Sequence, residues 1–184
     1  MLLRLKNQHE KRILTSFFCD RSNPNSANVG YVIAYNNDCF ILSAITPEGE
    51  DDGYVFRIIE DIFKLEYDGP YEKKIEYLHQ QYEKNSVTTP SLKPDDNLLL
   101  DLIKSSLLDG KIIGVGLEGV DSIAFGLTVE YDDETLTYRE VDEYGEMLGY
   151  ASVRLSDIDF LEIDSRSCKE LKYLMDNFSY HCTK

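Results

Sequence analysis

The chain of 184 residues reads as a mainly β protein with helices, an α+β fold made of two tandem copies of one small antiparallel unit. Three observations predict this. Residues 149–174 superimpose without a gap on residues 53–78, at an offset of 96 that carries Gly53 onto Gly149, and ten of the 26 paired positions are identical. Each copy holds five short stretches rich in β-branched and aromatic residues, separated by Asn, Asp, Gly and Pro. A stretch with the apolar spacing of a helix closes each copy.

The identities include Tyr54/Tyr150, Asp61/Asp157, Ile62/Ile158, Leu65/Leu161, Glu66/Glu162, Tyr77/Tyr173 and Leu78/Leu174. The same offset carries Gly30 onto Gly126, Tyr35 onto Tyr131 and Gly49 onto Gly145. A gap-free match over two strands and a helix is the mark of a tandem duplication. The expected domains are residues 1–84, a polar linker at 85–94 with two prolines, and residues 95–184.

Residues 1–10 fit either a short helix or a strand, since Leu2, Leu3 and Leu5 suit both. Residues 11–19, KRILTSFFC, form the first secure strand, and 20–28 are a loop by composition. Strands at 29–35 and 39–46 flank Asn36-Asn37-Asp38 and make a hairpin. After the turn PEGEDDG come strands at 54–59 and 62–67, then a helix over 71–84 expected to bury Tyr71, Ile75, Leu78 and Tyr82. In the second copy Asp95 or Asp96 can cap a helix whose Leu98, Leu99, Leu102, Ile103 and Leu107 form an apolar stripe, stopped by Gly110. Strands follow at 111–117, 122–131, 135–141, 149–155 and 158–163, with a last helix over about 166–178 carrying Leu171, Leu174 and Phe178. In 122–131, Ile123, Phe125, Leu127, Val129 and Tyr131 alternate with small or polar residues, which predicts one buried face.

The net charge of -15 is concentrated in residues 111–184, which carry 7 basic and 16 acidic side chains. Such a field repels phosphate backbones and weighs against nucleic acid as the main ligand. Cys19, Cys39, Cys168 and Cys182 include no CxxC pair, and residues 1–12 lack an apolar core, so the expectation is reduced thiols in a cytoplasmic protein. No window approaches the roughly 18 apolar residues of a membrane span.

Several patterns invite sharper readings. Gly114-Val115-Gly116-Leu117-Glu118-Gly119 matches GxGxxG, but a strand-like VDSIAFGLTV follows where a dinucleotide site needs a helix, so the glycines are expected to serve a hairpin. The carboxylate runs 48–52 and 132–134 lack the ligand spacing of a calcium loop and are read as solvated turns. His9, His79 and His181 have no partner by spacing, and His181-Cys182 fall in the last four residues. Asp61 and Asp157 are expected to cap the turn into the fifth strand. Neither a metal site nor a cofactor site is expected.

Helix, then five short strands with a tight turn before the last, is the order of an Sm-like unit, and particular residues resemble that family. Phe125-Gly126-Leu127-Thr128-Val129-Glu130-Tyr131-Asp132 followed by Leu136 is similar to its first motif, and Val153-Arg154-Leu155-Ser156-Asp157-Ile158 to its second, with Leu155 where Gly is usual. In the first copy, residues 30–36 and 40–42 resemble the first motif, while Arg57 sits one residue too far from Ile62 for the second. The resemblance implies two tandem five-stranded antiparallel Sm-like (SH3-like) barrels, each followed by a helix. It implies association edge to edge through the fourth and fifth strands, so the two repeats are expected to pack on each other, with a homo-oligomeric ring as an extension.

The family holds an RNA base with an aromatic, an Asn and a basic residue on two turns. Carried over, the binding candidates are Tyr35, Asn36, Asn37 and Arg57 in the first repeat, and Tyr131, Asp132 and Arg154 in the second. Asp132-Asp133-Glu134 repels phosphate, which leaves RNA to the first repeat, where Lys11, Arg12, Arg21 and Arg57 could form a basic patch. The leading expectation is a non-enzymatic interaction module that binds a protein partner, and the alternative is RNA or single-stranded nucleic acid on the first repeat.

Overall fold

The computed structural model describes residues 1–82 and 97–178. The expected linker, the Asp95 or Asp96 cap, His181 and Cys182 lie outside them. The chain divides into two compact units, Met1–Asp101 and Leu102–Lys184. In the first lie α1 (Leu2–Lys11), β1 (Thr15–Phe18), β2 (Asn28–Tyr35), β3 (Cys39–Ile45), β4 (Asp51–Ile58), β5 (Lys64–Tyr67) and α2 (Pro70–Tyr82). After α3 (Leu98–Asp109) come β6 (Ile112–Leu117), β7 (Ala124–Tyr131), β8 (Thr135–Val141), β9 (Met147–Arg154), a single 3-10 turn (Leu155–Asp157), β10 (Ile158–Ile163) and α4 (Arg166–Asn177). The fold is mixed α+β, and every ladder within a unit is antiparallel.

The offset of 96 runs through these elements. It carries β2, β3 and β4 onto β7, β8 and β9 at both ends, and the first residues of α1 and α2 onto those of α3 and α4. Register breaks fall at Val32/Ala34 and Ser43/Ile45 in one unit and at Thr128/Glu130 and Arg139/Val141 in the other. Asp68 and Asp164, identical across the offset, both take a left-handed backbone before their helices, at φ 60 and φ 57. At Gly30 a Cβ would lie 2.2 Å from the carbonyl oxygen of Ser43, and at Gly126 2.5 Å from that of Arg139. Only glycine lets the third strand of each unit approach the second this closely.

Strand order is β5-β1-β2-β3-β4 in the first unit and β10-β6-β7-β8-β9 in the second. The fourth and fifth strands of a unit are consecutive in the chain yet stand at opposite ends of its order. In the first unit the chain leaves β4 through one tight turn, Ile62 N–H to the Ile59 carbonyl, and is captured at once by β1 through Phe63 N–H to the Phe18 carbonyl. Two separate five-stranded barrels are not what the strands form: the sheet is open, and in the first unit β5 spends its four residues on β1 and none on β4. The strands there also bend strongly. Arg57 stands opposite Phe40, which stands opposite Tyr35, seven residues along β2 from Asn28, about 23 Å in a flat strand. Yet Arg57 Nε donates to Asn28 Oδ1 at 3.0 Å.

Hydropathy misplaced two faces. On α2 the buried residues are Glu72, Ile75 and His79, while Tyr71 and Tyr82 are exposed. The polar pair can go inside because each finds a partner: Ser16 Oγ donates to Glu72 Oε1 at 2.6 Å, and His79 Nδ1 lies 3.0 Å from the Gly49 carbonyl. Over 122–131 the alternation fails, with Ile123, just before β7, and Val129 within it both exposed. Val129 falls at the register break, and the buried positions are Gly126 and Thr128, whose hydroxyl lies 2.7 Å from that of Ser106. Phe125 and Leu127 are only partly buried, against Ile112, Val141, Cys168 and Leu171.

Other expectations shift by a few residues. Within residues 1–10 the ambiguity resolves to a helix, α1 from Leu2, and the first strand shortens to β1 because Arg12, at φ 48, ends α1. Asp51 and Asp52 belong to β4 and not to the preceding turn. Helix α3 ends before Gly110 at φ 60, with Leu98, Leu102 and Ile103 buried and Leu107 exposed. Gly114 and Gly116 lie in β6 and Gly119 turns the chain toward β7 at φ 75, so this GxGxxG is a hairpin.

Candidate functional site

Tyr35 ends β2, half-buried, with its ring edge-on to His9 at 5.4 Å between centroids. The His9 Nδ1 is 2.9 Å from the Val32 carbonyl, so this histidine fastens α1 to β2. Asn36 Oδ1 accepts from the N–H groups of Asp38 and Cys39, each at 2.9 Å. At the same place in the second unit, Asp132 Oδ1 accepts from Glu134 N–H at 2.8 Å and Thr135 N–H at 2.7 Å. These bonds hold the Asp132 carboxyl below its ordinary range. The two residues thus do one job, closing the turn between the second and third strands.

Tyr131, Asp132 and Arg154 come to one end of β7, β8 and β9, with Arg154 exposed and opposite Thr135. Tyr35, Asn36 and Asn37 share one end of β2 and β3, but the Arg57 guanidinium is held at Asn28. The expected basic patch is tied down piecemeal, with Arg12 over the Tyr31 ring, Arg21 over the Phe63 ring and Arg57 on Asn28. Asp157 accepts from its neighbour Ser156 at 2.9 Å, at the turn into β10.

A different surface stands out on the second unit. Tyr54 and Tyr150 are the same residue across the offset, yet Tyr54 is 4% exposed and Tyr150 is 68% exposed. The difference extends along the strand: residues 53–56 of β4 are buried, whereas their counterparts 149–152 of β9 are exposed or half-exposed, and Met147 and Leu148 beside them also stand open. β9 also ends the strand order.

Next to it, between α4 and β7–β8, lies a cleft of about 470 Å³. Its floor is Phe125, Val141, Leu171 and Leu174, Leu148 links it to β9, and Glu140, Asp142, Glu143 and Glu170 rim it. Sequence reasoning missed this surface, although the signal was present. Across the offset those four carboxylates correspond to Ala44, Thr46, Pro47 and Lys74, while the floor corresponds to Val29, Ile45, Ile75 and Leu78.

Among the described residues no group of three or more His, Cys, Asp or Glu could hold a metal ion. Burial pushes the Cys39 thiol up to about 11, against the pull of its Asn36 hydrogen bond, and the Cys168 thiol up to about 12, against Ser165. Both stay protonated near neutral pH. No described helix is long and apolar enough to cross a membrane. No family model, curated protein or solved structure matches the chain.

Proposed function

We propose that this chain is a non-enzymatic cytoplasmic interaction module, a duplicated pair of Sm-like, SH3-like repeats whose second repeat binds a protein partner along β9. The observation that carries this is the Tyr54/Tyr150 pair: one position is covered in the first unit and bare in the second. A strand ending a sheet with Met147, Leu148 and Tyr150 exposed offers backbone hydrogen bonds and apolar side chains together, the combination that strand addition uses. The glycines at 30 and 126, the strand order and the bent first sheet support the Sm-like reading of the repeats. Packing of the repeats on each other and growth into a ring belong to the same proposal. A salt-insensitive monomer in light scattering after gel filtration removes the ring.

The test is affinity capture from a cell extract with the wild-type chain, a Tyr150→Glu variant and a Tyr77→Glu control, Tyr77 being 67% exposed on α2. A protein retained by wild type and control but lost with Tyr150→Glu supports the reading. A captured set that is the same for all three sinks it. RNA binding has less support, because the Asn36 oxygen and the Arg57 guanidinium are already engaged. Saturable, salt-weakened binding of short single-stranded RNA that disappears in Tyr35→Ala would reinstate it.

A further inference from the structure

We propose that the cleft beside α4 takes a cationic amphipathic segment of the protein partner, one that sets large apolar side chains on Phe125, Val141, Leu171 and Leu174 while Lys or Arg residues meet the carboxylate rim. This rests on the reading of the chain as a protein-binding module and adds the chemistry of what it binds. The floor has a structural explanation, because the corresponding residues of the first unit are also apolar, and Val29, Ile45 and Ile75 there form a buried cluster. The rim has none. Ala44, Thr46, Pro47 and Lys74 occupy the same four places in the first unit without a carboxylate.

The rim carboxylates are not equally committed. Asp142 Oδ1 accepts from Tyr144 N–H at 3.0 Å and Glu146 N–H at 2.9 Å, closing the turn between β8 and β9. Glu143 is hydrogen-bonded to the Tyr144 hydroxyl, which raises that phenol's pKa. Glu140 lies partly buried beside Val141 on β8, and Glu170 stands exposed on α4, both lining the cleft. The two form a negative pair across an apolar trough. A volume of about 470 Å³ falls in the roughly 300–1,000 Å³ range of binding clefts. Phosphate-bearing ligands are repelled by this rim, and an uncharged apolar ligand leaves it unanswered. A segment carrying both apolar and cationic side chains satisfies floor and rim together.

The probe is a fluorescein-labelled synthetic peptide of Leu and Lys of about 16 residues in amphipathic order, with Leu/Glu and Ser/Lys peptides of equal length as controls. Anisotropy titrations compare the full-length wild type, Glu140→Gln/Glu170→Gln, and Asp133→Asn/Glu134→Gln, which removes the same charge from the β7–β8 turn. The expected result is saturable binding of the Leu/Lys peptide, weaker at physiological than at low salt, and reduced about tenfold by the cleft pair alone. Absence of binding, equal loss in both double variants, or equal binding of the Ser/Lys peptide overturns the proposal. Tyr150→Glu separates the two readings: it abolishes partner capture if β9 binds, whereas loss of peptide binding in the Glu140/Glu170 variant concerns the cleft alone.

Discussion

Ser16 and Glu72 share a buried hydrogen bond of 2.6 Å between the first strand and the closing helix, and their counterparts across the offset, Ile112 and Cys168, sit together in an apolar cluster. The two units thus solve one packing problem by opposite chemistry. Ser16→Ala leaves the Glu72 carboxylate buried with one donor fewer, which costs about 1–3 kcal/mol. The exchange Ser16→Ile with Glu72→Cys imports the other unit's solution and is expected to recover most of that loss. Urea midpoints for wild type, each single variant and the pair check it. A pair whose loss equals the sum of the singles would show that the two positions are not coupled.

Gly49 and Gly145 turn the chain between the third and fourth strands at φ 90 and φ 81. A Cβ on the first would lie 2.6 Å from Leu78 Cβ, and on the second 2.6 Å from Met175 N, so the turn lies directly against the closing helix. Gly145→Ala is expected to cost about 2 kcal/mol or more, from strain and overlap together. Gly149 has nothing within 4 Å of its would-be Cβ, and its φ lies outside the left-handed region. Gly149→Ala is expected to stay within about 0.5 kcal/mol of wild type in the same denaturation series.

Both glycine pairs could be placed from the sequence, because turns and duplications are local signals. Strands β2 and β7 and their hairpin partners also emerged within a few residues. The buried side of α2 emerged only at Ile75, since Glu72 and His79 turn inward because Ser16 and the Gly49 carbonyl wait 56 and 30 residues away. The phase of β7 was misread for a related reason: Gly126 and Thr128, on the side expected to be open, are buried, Thr128 against Ser106 22 residues away, while the register break leaves Val129 exposed. The cleft was half legible. Its four carboxylates differ from their counterparts in plain sight, but their convergence depends on the β8–β9 turn lying beside α4.

Burial raises the Cys39 and Cys168 thiols to about 11 and about 12, so little thiolate is present near pH 8. In a Cys19→Ser/Cys182→Ser variant the folded protein is expected to react with a thiol-directed disulfide reagent only slowly. Full reaction should follow in denaturant. A fast phase of one thiol in the native state would mean that one of these sites opens without global unfolding.

Lys111 Nζ lies 2.7 Å from Asp164 Oδ2 and 2.9 Å from Asp109 Oδ2. Burial pulls its pKa down, but the hydrogen bonds and charges of Asp164 and Asp109 outweigh this and leave it raised. A raised pKa means that folding favours the ammonium form, so the stabilisation is fully present below the ordinary lysine value of about 10.4. It is lost as pH climbs through the raised value. Tyr138, raised by burial and by Glu140, loses stability in the same direction near its ordinary value of about 10. Urea midpoints measured from neutral pH to beyond about pH 10.4 should therefore fall at the alkaline end. Lys111→Met should lower the neutral-pH midpoint and flatten the alkaline fall, because the titrating ammonium is gone while Tyr138 remains. An alkaline slope that is unchanged in Lys111→Met would assign the loss to the raised phenols of Tyr138 and Tyr144 and to the thiols, and remove Lys111 from the account.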